Sequence, residues 1–188
     1  MNFGVVRINH NNVHLQAKDW DINDVEIYGF IDVEAAYFWL KDIKEVIIDN
    51  LKLGCSRFTD NCMLIYAQGF YTQLTIKNSH FFQEGDGYYY EHYNRSPIHA
   101  DIHQLFMEDN TFQDFNKVGY MGGVLNLEIE DACSEKRGIY TNNQESDYGA
   151  VFFFRGISKC TFEESLFKGN QAKYGGALFT IDHSAIVL

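Results

Sequence analysis

His99, Asp101 and His103 are the residues whose types and spacing come nearest to a metal-binding set. Imidazole and carboxylate are ordinary metal ligands, and residues two apart on a strand point to one face, so all three would share it. The sequence offers no identifiable fourth ligand, and polar residues on the outer face of a strand give the same pattern. His10 and His14 would share a helix face, but Asn11, Asn12 and Val13 are poor helix formers, so a surface loop is expected there. A second kind of chemistry lies in Tyr88, Tyr89, Tyr90 and Tyr93, which follow the acidic, Gly-containing stretch Glu84-Gly85-Asp86-Gly87. Exposed tyrosines combine flat apolar area with a hydroxyl, which suits glycan or protein recognition; the alternative is that they pack their loop onto the body of the protein.

Catalytic groupings are hard to find. Glu128-Ile129-Glu130-Asp131 reads as one acidic strand end and Glu163-Glu164 as a turn, so no carboxylates converge in the sequence as glycosidic cleavage requires. There is no Gly-x-Ser-x-Gly and no Gly-x-x-x-x-Gly-Lys-(Ser/Thr), which removes the usual hydrolase elbow and nucleotide loop. None of the four cysteines forms a C-x-x-C pair, so a zinc ribbon or a thioredoxin-type centre is not expected. No cofactor is expected, and the chain reads as non-enzymatic.

Fifteen basic against 26 acidic residues give a net charge of −11, without a Lys/Arg cluster, which argues against nucleic acid and against an anionic membrane surface. No apolar run approaches the length of a membrane-spanning helix, and the first ten residues turn polar too early for a secretory signal. Asn94-Arg95-Ser96 has the form of a glycosylation acceptor, but the following Pro97 disfavours modification.

The elements that would position these residues repeat along the chain. Gly122-Gly123-Val124-Leu125, Tyr148-Gly149-Ala150-Val151 and Tyr174-Gly175-Gly176-Ala177-Leu178 recur, with Gly123, Gly149 and Gly176 spaced by 26 and 27 residues. Tyr140-x-x-Asn143 and Phe167-x-x-Asn170 each precede the next small-residue landmark, Ala150 or Ala177, by ten residues. Asn50, Asn78 and Asn110 continue the period at steps of 28 and 32, and Asn110 to Cys160 spans 50, or two coils. Short runs such as Leu74/Ile76, Leu125/Leu127/Ile129 and Val151-Phe152-Phe153-Phe154 have strand length and composition. Val33 to Lys44 is the best helix candidate.

A coil of about 25–30 residues made of short strands cannot bury its apolar face alone, so coils must stack. The expected fold is all-β, a right-handed parallel β-helix, with like residues about 4.8 Å apart in ladders. Asn50, Asn78 and Asn110 are candidates for an asparagine ladder, and Gly122-Gly123 and Gly175-Gly176 for a repeated tight corner. Cys133 and Cys160, one coil apart, would be neighbours able to form a disulfide or to remain reduced and buried; Cys55 and Cys62 would close a small loop. The Tyr88–Tyr93 stretch falls where Phe81 and Phe112 are 31 apart, so it should bulge from the solenoid.

Phe167-x-x-Asn170 followed by Gly175-Gly176-Ala177-Leu178 resembles the paired FxxN and GGA(I/L/V) repeats of chlamydial polymorphic outer-membrane proteins, and is similar to repeats in pectin-lyase-like surface proteins of protists. The resemblance covers about residues 74 to 188, with one complete copy; Tyr148 stands where a partner glycine of Gly149 is expected, and Val124 where the family has Ala. It implies a cell-surface, adhesive or structural role.

The sequence therefore predicts an N-terminal cap or irregular first coils over 1–45 and β-helix coils over 46–188, continuing past Leu188, whose apolar run lacks a polar cap. The expected role is a structural or adhesive segment of a larger surface protein with a protein or glycan partner. The alternatives are a carbohydrate-active β-helix and a subunit of an intracellular assembly joined through the C-terminal coil. The compartment divides accordingly: extracellular for a fragment of a longer chain, intracellular if Met1 is the true start.

Overall fold

The computed structural model describes residues 6–8, 12–16, 26–27, 38–55, 63–83, 96–116, 123–144, 148–156, 159–182 and 185–187. Taken coil by coil, the strands are β1 (Val6–Ile8), β2 (Asn12–Gln16) and β3 (Glu26–Ile27), then β4 (Phe38–Lys41), β5 (Glu45–Asp49) and β6 (Lys52–Cys55). The next three coils hold β7 (Ile65–Lys77) and β8 (His80–Gln83), β9 (Ile98–Glu108) and β10 (Thr111–Gln113), and β11 (Leu125–Lys136) and β12 (Ile139–Thr141). They are followed by β13 (Phe152–Arg155), β14 (Lys159–Glu163) and β15 (Leu166–Lys168), then β16 (Leu178–Thr180) and β17 (Ala185–Val187).

Each strand pairs in parallel with its counterpart one coil away. One sheet runs β1-β4-β7-β9-β11-β13-β16, with β2, β5, β14 and β17 extending it, and the second runs β15-β12-β10-β8-β6-β3. The chain is an all-β parallel solenoid. The partners Phe38, Ile65, Ile98, Leu125, Phe152 and Leu178 set steps of 27, 33, 27, 27 and 26 residues. The 33-residue step contains residues 84–95, which lie outside the described residues.

Period-2 alternation drives the stacking, because it gives each strand one face that only a neighbouring coil can cover. The inward positions form columns: Leu40, Ala67, Ala100, Leu127 and Phe154 in one, and Val46, Leu74, Leu105, Cys133, Cys160 and Ile186 in another. In the second sheet Leu53, Phe81, Phe112, Tyr140 and Phe167 align. The aromatic members stack, with centroids 4.5, 5.3 and 4.9 Å apart and planes within 12° of parallel. Such stacking adds roughly 0.5–1.5 kcal/mol per pair to the burial of the rings.

Two corners explain how the chain turns. At the first, Asn50, Asn78, Asp109, Arg137 and Glu164 all have positive φ of 49–63°. The first four each donate their N–H to a carbonyl in the following coil at 2.8–3.0 Å. Asn and Asp tolerate this left-handed conformation better than other L-residues, whereas Arg137 is held in it by the ladder. At the second corner Asp114, Asn142 and Gly169 play the same part.

The side chains that satisfy the buried corner backbone belong to the next residue along. Asn110 Oδ1 accepts the Ser79 N–H at 3.0 Å, and its Nδ2 donates to the Ile76 carbonyl at 2.8 Å. Asn143 does the same to Phe115 and Phe112, and Asn170 to Asn143 and Tyr140. In each case one amide spans the equivalent N–H of the preceding coil and the carbonyl three residues before it. The expected Asn50–Asn78–Asn110 ladder is therefore out of register by one: Asn50 and Asn78 occupy the left-handed corner with Asp109, while Asn110 lies in the capping column with Ser79 and Gly138.

The glycine repeat shifts likewise. The strand register aligns Gly149 with Gly175, both at positive φ, and Gly123 with Ala150 and Gly176; Tyr148 pairs with Tyr174 rather than replacing a glycine. Gly122 lies outside the described residues. Cys160 aligns with Cys133 and Leu105 instead of two coils beyond Asn110. The helix candidate is corrected over its described part: 38–41 is strand β4, because Phe38 and Leu40 alternate inward, and Asp42 then turns the chain at φ 54°. Residues 33–37 of that candidate lie outside the described residues.

Candidate functional site

The long strands are kinked midway, and the kink is where side chains gather on the outside. In β7 the ladder slips between Gly69 and Gln73, leaving Phe70, Tyr71 and Thr72 opposite the single residue His103 of β9. In β11 it slips between Ile129 and Ala132, leaving Glu130 and Asp131 opposite the same His103. β9 is thus the short strand between two bulged ones, and a bulge redirects side chains out of the pleat. A groove of about 720 Å³ results, bordered by Asp42, Lys44, Phe70, Tyr71, Gln73 and Gln104, with His103 at its edge.

Thr72 turns inward and is 1 % exposed, which throws Phe70 and Tyr71 outward at 64 % and 75 %. Their rings meet edge to face at 5.0 Å. On the far side, His103 Nδ1 is 3.6 Å from Glu130 Oε2, and its Nε2 is 3.8 Å from Asp131 Oδ2. Gln104 Nε2 donates to Asp131 at 2.6 Å, which fixes that carboxylate beside the imidazole. The groove offers flat apolar area, amides, one imidazole and carboxylates within a few ångströms, which is equipment for holding a polar ligand with an apolar face.

Of the residues singled out from sequence, His99, Asp101 and His103 do lie on the outward face of β9, alternating with buried Ile98, Ala100 and Ile102. They do not converge: the His99 ring stacks on Tyr66 at 5.3 Å, and His103 engages the carboxylates of the next coil. Among the described residues, no three His, Cys, Asp or Glu side chains are grouped as metal ligands would be. Tyr88, Tyr89, Tyr90 and Tyr93 lie outside the described residues, as do Cys62 and the side chain of Cys55.

Cys133 and Cys160 are joined as a disulfide, with Cα atoms 4.3 Å apart in adjacent coils. No helix among the described residues is long and apolar enough to cross a membrane. No protein-family model, curated protein or solved structure matches this chain.

Away from the groove, the first corner carries an ion-pair row. Arg137 bridges Asp109 and Glu108, and Lys136 lies 3.1 Å from Glu163. Hydrogen bonds from Arg137 hold the Asp109 carboxyl below its usual range. These exposed pairs align neighbouring coils and contribute little stability each.

The types and spacing of Phe70 and Tyr71 do not mark them as a site, although the sequence carries a signal. In β7 the buried positions change phase, from Ile65 and Ala67 to Leu74 and Ile76, and such a change marks a bulge.

Proposed function

We propose that this chain is a non-enzymatic, adhesive segment of a β-helical surface protein, and that it presents the groove beneath Phe70 and Tyr71 to a glycan. The observation that carries the reading is the exposure of these two rings, the most exposed large hydrophobic side chains among the described residues. An exposed aromatic edge-to-face pair costs hydration free energy unless a ligand covers it, and a sugar ring brings C–H faces for the rings and hydroxyls for the amides. Gln73, Gln104 and Asp42 line the groove, where amide groups can accept and donate those hydrogen bonds and the Asp42 carboxylate can accept them. The likeness of Phe167-x-x-Asn170 and Gly175-Gly176-Ala177-Leu178 to the chlamydial and pectin-lyase-like repeats supports a surface role.

The test is a glycan array followed by calorimetry with the full chain. A glycan bound by the wild type should lose at least tenfold in affinity with Phe70→Ala/Tyr71→Ala while far-UV circular dichroism stays unchanged. Absence of binding across the array, or binding indifferent to the double substitution, would refute the reading.

A second reading, a carbohydrate-active β-helix, draws support from His103 held between Glu130 and Asp131 at the groove's edge. An imidazole flanked by two carboxylates is able to move a proton near a bound sugar. Release of reducing ends from a bound polysaccharide, abolished by His103→Asn, distinguishes this reading from simple adhesion.

A further inference from the structure

Two core columns each contain one residue that breaks their chemistry. Ile48, Ile76, Met107, Glu135 and Phe162 align in the first, and Leu53, Phe81, Phe112, Tyr140 and Phe167 in the second. The two exceptions, Glu135 and Tyr140, meet. Glu135 is 1 % exposed and Tyr140 fully buried. Both carboxylate oxygens and the Tyr140 hydroxyl are buried with no hydrogen-bond partner in good geometry.

The local sequence makes room for the pair. A Cβ on Gly138 would stand 1.9 Å from Glu135 Oε1 and 2.6 Å from Tyr140 Cε2, whereas neighbouring coils carry Leu51, Ser79, Asn110 and Ser165 at that corner. Other polar groups nearby are engaged: the Ser165 hydroxyl accepts the Gly138 N–H and donates to the Glu163 carbonyl. β9 faces Glu135 with Met107 and β14 faces it with Phe162, neither of which titrates. Asp109, the other titratable group near it, adds negative charge, while Arg137 and Lys136 are turned outward to Glu108, Asp109 and Glu163. No Lys or Arg is among the buried polar residues described, so nothing inside would neutralise a Glu135 carboxylate.

We propose that Glu135 and Tyr140 form a pH-sensitive latch within the solenoid: protonated Glu135 keeps β11 seated between β9 and β14, and loss of its proton loosens that joint. Burial pushes the Glu135 carboxyl up to about 8, with nearby Asp109 adding to the effect and contacts to Tyr140, Gly138 and Ser165 opposing it. Below the ordinary value of 4.5 both folded and unfolded chains hold the proton, and the full stability is present. Between 4.5 and about 8 the unfolded chain has released the proton that the folded chain still holds, so stability falls as pH rises; above about 8 the loss is complete. The latch is thus closed in acid and released toward alkaline pH, opposite to the usual behaviour of an ion-paired carboxylate.

The experiment is urea unfolding of the full chain between pH 5 and 9, comparing wild type with Glu135→Gln and Glu135→Met, the latter copying Met107. The wild-type unfolding constant should rise by up to about tenfold per pH unit relative to either variant from pH 5 to about 8, and level off above that. In parallel, the carboxyl carbon of Glu135 followed by NMR should titrate near pH 8 rather than near 4.5. Parallel stability profiles for wild type and both variants, or an ordinary carboxyl titration, would overturn the proposal. Should Glu135→Gln fail to fold, the Met variant and the wild-type titration still decide it.

Discussion

Truncating Phe112 to Ala strikes the middle of the aromatic column. The ring is fully buried, with Phe81 and Tyr140 stacked on its two faces at 4.5 and 5.3 Å. A buried Phe→Ala substitution costs roughly 3–5 kcal/mol, and losing two stacked partners places this one near the upper end, about 5 kcal/mol. Domains of this size have only about 5–15 kcal/mol in total, so the variant should be close to its limit. Urea unfolding followed by circular dichroism is the assay, and with a slope of about 2 kcal/mol/M the midpoint should drop by roughly 2.5 M. In a solenoid the damage falls on the coils that touch the site, so amide exchange should quicken first in β8, β10 and β12. Phe112→Tyr supplies a control of chemistry rather than volume. The Tyr140 hydroxyl meets Glu135, but the corresponding residue one coil back is Met107, so a hydroxyl at 112 is buried unpaired at a cost of about 1–3 kcal/mol. A loss below about 1 kcal/mol for Phe112→Ala would refute the stacked-column reasoning.

Asn143→Ala removes the amide that serves the Phe115 N–H and the Phe112 carbonyl in a fully buried corner, and should cost about 2–4 kcal/mol by the same unfolding assay. Asn142→Ala, one residue earlier and exposed, should cost markedly less, which checks the register of the corner. Reduction of the Cys133–Cys160 disulfide opens a 27-residue loop and should lower stability by about 3 kcal/mol, read as a lower urea midpoint in the presence of dithiothreitol.

Much of this architecture is legible in the residues. The aromatic-x-x-Asn pairs at 140–143 and 167–170 are the structure's own repeat: Tyr140 and Phe167 stack in the core, and Asn143 and Asn170 cap the turn behind them. The register is harder to read because Asn serves two purposes one residue apart. It adopts the left-handed corner at Asn50 and Asn78, and it spans the buried backbone at Asn110. Only the hydrogen-bonded partner separates these uses, and a partner one coil away leaves no mark on local spacing. Glu135 illustrates a second limit. It keeps the inward phase of Leu125, Leu127, Ile129 and Cys133, yet an acidic residue between Ser134 and Lys136 reads by its type as outward. The groove under Phe70 and Tyr71 depends on three adjacent strands having different numbers of residues at one kink, a comparison possible only once the strands are aligned.

The central claim is the parallel register itself, and it is tested most directly by NMR on a chain labelled at Phe and Tyr. Backbone contacts should link Phe81 to Phe112, Phe112 to Tyr140 and Tyr140 to Phe167, in that order and with no other labelled neighbours in the ladder. Contacts of the antiparallel kind, or a ladder that joins Phe112 to residues elsewhere in the chain, would contradict the solenoid and with it the groove and the buried pair.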